Sequence, residues 1–95
     1  MKEIRWDRLK NEKLKSERDV SFEAVLVAII QGNTLDDSIH PDREKYPHQR
    51  LLVVKINEYA YLVPYVETET EIFLKTIIPS RKATKQYLSG SDSNE

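Results

Sequence analysis

The stretch RLLVVKINEYAYLVPYVETETEIFLKTII, residues 50–78, decides the fold. Three runs, RLLVVKI, YAYLVPYVE and EIFLKTII, are rich in β-branched and aromatic residues and are separated only by the polar pieces NE and TET. Such residues suit a pleated, half-buried surface, and breaks this short join neighbouring strands, so the stretch predicts an antiparallel three-stranded meander. Pro64 has no amide proton to give to a ladder, so its strand is expected to carry a bulge or to lie at an edge.

Downstream, Ser80 is placed to cap a closing helix over RKATKQYL, and the small polar tail SGSDSNE is expected to be disordered. Upstream, residues 33–49 predict a short strand around 34–39 and then a loop, because Pro41 and Pro47 interrupt any long element. The N-terminal third reads as a strand and two helices. KEIRW alternates, with Ile4 and Trp6 on one face, and Asp7 can cap a helix running to about residue 17. That helix offers mainly Leu9 and Leu14 to a core, so most of its circumference is left for water or a partner. In the next, Ser21 is the N-cap and Val20 the staple. Phe22, Val25, Leu26, Ile29 and Ile30 form the apolar stripe, and Gly32 stops it. The expected architecture is α+β: a small antiparallel sheet, the three-stranded meander plus one or two short N-terminal strands, packed by two N-terminal helices and closed by a C-terminal helix. Residues 1–88 are expected to form one domain and residues 89–95 a polar tail.

Ninety-five residues with 39% hydrophobic content can build one core and leave no room for a second domain. The absence of cysteine excludes disulfides, thiolate metal sites and a cysteine nucleophile. His40 and His48 with carboxylates make a poor zinc set, so no cofactor is expected. The segment MKEIRWDRLK has no signal-like apolar run, and no stretch approaches the roughly 18 apolar residues of a membrane span, so a soluble, cytoplasmic protein without a membrane partner is expected.

The net charge of −1 argues against a broadly basic nucleic-acid binder, yet the charges are unevenly spread. Basic residues dominate positions 1–18, and Arg81, Lys82 and Lys85 stand unopposed over 80–88. A helix start beside Arg81 and Lys82 suits a phosphate, because free amides and a guanidinium fork favour an anion. The structural alternative is an ion pair with Glu67, Glu69 or a neighbour.

Several segments together resemble the BrnT-type toxins of bacterial type II toxin-antitoxin modules. They are WD at 6–7, NEKLKSERDVSFEAV at 11–25, the acidic loop with its histidines, QRLLVV at 49–54 and IIPSRKAT at 77–84. The likeness spans about residues 4–87 and is strongest at DVSFEA and SRKAT. It implies a compact fold of the RelE/ParE or barnase-like ribonuclease type and a toxin that cleaves RNA without a metal. It also implies neutralisation by a cognate antitoxin, of the ribbon-helix-helix type, with DNA contacted only through that antitoxin. Where such toxins carry a His-Gly pair ahead of the VSFEEA-like segment, this chain has Arg18 and Asp19.

By the resemblance, Arg81 matches the junction arginine and Arg50 the arginine opening the first meander strand. Both are expected to stabilise phosphate charge in catalysis and in RNA binding, with Lys82 as companion. A guanidinium cannot practically lose its proton, so these roles are electrostatic. Glu44 and His48, in the loop before Arg50, are the available base and acid, and His40 is a second histidine there. Tyr46 and Tyr87 can stack on a base or serve packing, while Trp6 reads as a core residue. Arg50 and Arg81 are expected to meet one phosphate from two sides. The competing class is a non-catalytic, toxin-like protein-binding module, favoured by the near-neutral charge and the missing His-Gly pair. Sequence-specific DNA binding by this chain lacks any helix-turn-helix spacing.

Overall fold

The structure is a computed structural model that describes residues 2–88, so the expectation of a disordered tail over 89–95 lies outside the described residues. The elements run β1 (Glu3–Trp6), α1 (Arg8–Arg18), α2 (Phe22–Ile30), β2 (Thr34–Ile39), β3 (Gln49–Ile56), β4 (Tyr59–Glu67), β5 (Glu71–Leu74), β6 (Ile78–Pro79) and α3 (Arg81–Leu88). The sheet order is β1-β5-β4-β3-β2, with β6 also pairing β4. The α+β class and the meander are as expected, but the sheet is mixed: β1 lies parallel to β5, with Ile4 beside Ile72 and Trp6 beside Leu74.

Local chemistry accounts for the meander. Asn57 and Glu58 both take positive φ, 53° and 63°, which gives the tight turn whose twist matches the strands it joins. Two-residue closure then fixes the β3–β4 register, Ile56 opposite Tyr59 and Arg50 opposite Tyr65. The third apolar run is split. Tyr65 pairs Leu74 and Leu62 pairs Ile78, so the partner strand carries one extra residue between them. The slip falls opposite Pro64, whose carbonyl accepts the Lys75 amide at 2.8 Å and whose missing N–H faces the same side. The expected bulge is therefore on the neighbouring strand, where the ladder lacks a donor.

The sheet divides the molecule. On one face Leu52, Val54, Val63, Tyr65 and Leu74 pack against Leu14 of α1 and Phe22, Val25 and Ala28 of α2. Trp6 stacks on Phe22 with ring centroids 5.6 Å apart, the structural role expected for it. On the other face α3 covers a smaller cluster of Val53, Ala60 and Ala83. Asp7 and Ser21 cap their helices as expected, accepting from the amides of Leu9 and Ala24. Gly32, at φ 79°, closes α2, its amide donating to Ile29.

Two expectations about the helices are corrected. Leu9 and Ile30 are 75% and 74% exposed, so neither joins a core. The buried stripe of α2 is centred on Val25 with Ala28 behind it. At 3.6 residues per turn Ile30 lies about 140° around the axis from Val25. The two helices are pinned by Asn11, buried at 2% exposure, which donates to Glu23 and accepts the otherwise unpaired amide of Phe22 at 2.8 Å. Arg18 donates to the Ile77 carbonyl at 2.7 Å. Asp19 adopts the left-handed conformation, φ 56°, that a glycine would take there without strain.

Candidate functional site

One end of the sheet collects the starts of β1, β3 and β5 and the end of β4, as the pairings Glu3 with Glu71 and Gln49 with Val66 require. Residues just outside those strand ends therefore converge. Lys2, His48, Arg50, Glu67, Thr68 and Glu69 line an open depression of about 530 Å³. The turn that carries the acids is set by Thr68, whose hydroxyl accepts the amides of Thr70 and Glu71.

Arg50 is the fixed member. Its Nε donates to the Tyr65 hydroxyl at 3.1 Å, and its Nη2 lies 3.4 Å from the Asp37 carboxylate. Tyr65 donates in turn to Asp37 Oδ1 at 2.7 Å. The phenol is 5% exposed, and burial, then the bond to Asp37, pushes its pKa up to about 12. It remains a donor at any physiological pH. The bond to Tyr65 and the charge of Asp37 raise the pKa of Arg50 further, so the cation is permanent. This anchoring uses part of a five-donor fork and leaves other N–H groups for an anion. Across the depression Lys2 donates to Glu67 at 2.6 Å, and that bond holds the Glu67 carboxyl below its ordinary pKa.

The remaining sequence candidates are dispersed. Glu44 is exposed in the 41–47 turn and does not line the depression. His40 packs against Tyr46 with the rings tilted and their centroids 4.6 Å apart, and its Nδ1 accepts the Asp42 amide, so both rings serve the loop. Tyr87 packs in the α3 cluster and donates to Asp36 at 3.1 Å, burial being the main cause of its raised pKa. Arg81 and Lys82 open α3, where Ser80 accepts the Ala83 amide and donates its own amide to Ala60. Lys82 lines a second cleft, of about 270 Å³, between α3 and the sheet, with Asp36, Leu51 and Tyr87. Among the described residues Arg81 forms no ion pair with Glu67 or Glu69.

The two arginines expected to share a phosphate are not brought together. Arg50 is level with Tyr65 on β4, whereas α3 joins the sheet at Ala60, five residues away and roughly 17 Å along the strand. They also occupy opposite faces, since Tyr65 belongs to the core under α1 and α2 and Ala60 to the cluster under α3. Sequence reasoning missed Tyr65, although counting outward from a two-residue turn at 57–58 sets it against Arg50. Lys2 and Glu67 carry no such signal, as they meet only through the non-local pairing of β1 with β5.

Among the described residues no group of three or more His, Cys, Asp or Glu is spaced to hold a metal ion, and no helix is long and apolar enough to cross a membrane. Comparison of the chain with protein-family models, with curated proteins and with solved structures gives no match.

Proposed function

We propose that this chain is the toxin of a type II toxin-antitoxin pair, a cytoplasmic endoribonuclease that acts at the depression around Arg50. A cognate ribbon-helix-helix antitoxin silences it and supplies any contact with DNA. The observation that carries the reading is the meeting of Arg50 and His48 beside Lys2 and Glu67, joined to the likeness at DVSFEA and SRKAT.

Cleavage by the neighbouring 2′-hydroxyl needs a base, an acid for the leaving 5′-oxygen and cations for the phosphate's growing charge. Arg50, preorganised by Tyr65 and Asp37, supplies the fixed positive charge. His48 is the acid. Glu67 takes the base role in place of Glu44, which stands outside the depression. While Lys2 holds Glu67 the carboxylate is charged but weakly basic. A phosphate that draws Lys2 away strengthens it, which couples substrate binding to activation of the base. Arg81 and Lys82, on the other face, act on a more distant part of the RNA.

The alternative reading, a non-catalytic protein-binding module, draws support from the internal partners that Arg50 and Lys2 already have. Incubation of the purified chain with end-labelled single-stranded RNA, with and without EDTA and ribosomes, separates the two. The expected result is EDTA-resistant cleavage that falls about 10²–10⁴-fold in His48→Gln and about 10²-fold or more in Arg50→Ala. A folded wild-type chain that cleaves nothing under any of these conditions leaves the binding module as the reading.

A further inference from the structure

We propose that this chain pairs with a second copy of itself along the free edge of β1, making one continuous sheet about a two-fold axis at Ile4. The inference goes beyond the ribonuclease reading and does not depend on it.

β1 is an outer strand of the sheet, with β5 as its neighbour. In a parallel pair the N–H and C=O of one residue point to the same side, and those of the next residue to the other. The Glu3 amide donates to Thr70, so Glu3 and Arg5 direct their main-chain groups at β5, while those of Ile4 and Trp6 point outward. An outward row of this kind is a template for another strand. α3 lies away from it. That helix starts where the Ser80 amide meets Ala60 on β4, and its Tyr87 bonds Asp36 on β2, four strands and roughly 19 Å from β1. Glu3 and Arg5 are exposed, and Ile4 and Trp6 are only partly buried.

Charge selects both the partner and the register. A two-fold axis normal to the sheet makes two β1 edges antiparallel and keeps the helices α1 and α2 of both copies on one side. Centred on Ile4, it joins that residue to the partner's Ile4 by reciprocal main-chain bonds. It also sets Glu3 against the partner's Arg5, and Arg5 against the partner's Glu3, at the closer, non-hydrogen-bonded positions where opposite charges stabilise pairing. The neighbouring registers set Glu3 on Glu3 or Arg5 on Arg5. Both side chains are available. Among the described residues Glu3 forms no ion pair, and Arg5 approaches Glu71 at a loose 4.0 Å. On the inner face each Ile4 lines an apolar cleft of about 220 Å³ with Ile29 and Ile72, and pairing brings the two Ile4 residues together at the axis. The other edge of the sheet is built against self-pairing. β2 slips register between Thr34 and Asp36, and an antiparallel pairing through its middle sets Asp36 or Asp37 against its own copy.

The test is sedimentation velocity of the full chain over a concentration series reaching about 1 mM, read for a species of twice the 11.2 kDa chain mass. The seam is short, so a reversible dimer is expected. Arg5→Glu and Glu3→Arg each set like charges across the seam and are expected to weaken self-association about tenfold or more. An equimolar mixture of these two variants restores both opposite-charge pairs, as does the double exchange Glu3→Arg with Arg5→Glu in one chain. Both are expected to dimerise as the wild type does. Ile4→Pro removes an outward N–H, leaves the bonds between β1 and β5 in place and should give a monomer whose circular dichroism matches the wild type. If that variant does not fold, the charge exchange decides alone. A wild type that stays monomeric throughout the series overturns the proposal, as do single charge variants that dimerise undiminished or a mixture of them that fails to associate. Assemblies growing beyond the dimer also overturn it, because they show head-to-tail joining of unlike edges.

Discussion

At the scale of single residues, Tyr65 links the core to the candidate site. Its ring is part of the packed face under α1 and α2, and its hydroxyl bridges Arg50 and Asp37. Because burial and Asp37 push the folded-state pKa to about 12, against an ordinary value near 10, the phenol stabilises the fold only while protonated. That contribution is complete below about pH 10, where the tyrosine keeps its proton folded or unfolded. It is lost as pH rises through about 12, since the unfolded chain releases its proton first. Urea titrations of wild type and Tyr65→Phe at a series of pH values should show the wild type losing stability relative to the variant across that window, by at most about 2–3 kcal/mol. Parallel curves for the two proteins would mean that the hydroxyl is already solvated and does not lock Arg50. Asn11 plays a comparable part away from the site, satisfying the first amide of α2 and holding Glu23 charged, chiefly through its side-chain hydrogen bond.

At the scale of elements, the β3–β4 hairpin was readable because its information is local. Apolar β-branched and aromatic runs and a two-residue break sufficed for the two strands, whereas the irregularity expected on the strand of Pro64 lies on its neighbour. The β1–β5 pairing was not readable, since KEIRW signals a half-buried strand but nothing in it names a parallel neighbour 68 residues on. The stripe of α2 was misplaced for a related reason: FEAVLVAII is apolar almost all round, so periodicity alone could not choose the buried side. The turn also carries a strain. Glu58 sits at φ 63°, where a Cβ crowds the carbonyl, and its only compensation is a loose 3.9 Å approach to Lys55. Glu58→Gly should therefore stabilise the chain by about 1 kcal/mol after the glycine's larger unfolded-state entropy is counted. Guanidinium unfolding reads this directly, and a destabilised variant would show that the turn is not left-handed at that position.

At the scale of the whole molecule, the sheet acts as a partition, and this revises how the two arginines singled out in the sequence relate to each other. Arg50 looks into the depression at one end of the sheet, while Arg81 opens a helix on the far face and toward the other end. The sequence could suggest both as anion-binding residues but could not tell that a sheet stands between them, because the side of the sheet taken by α3 is a tertiary fact. Substitutions at sites more than 7–10 Å apart with no shared partner combine additively within about 0.5 kcal/mol. A double-mutant cycle of Arg50→Ala and Arg81→Ala, read as affinity for one single-stranded RNA, should accordingly close within that margin. Two arginines gripping one phosphate would instead couple by about 1 kcal/mol or more, as residues with a shared partner do. Additivity in binding is the outcome that the partition demands. Under the proposed ribonuclease function, cleavage lost only in Arg50→Ala would place the chemistry at one end of the sheet and leave the basic start of α3 to hold a separate part of the RNA.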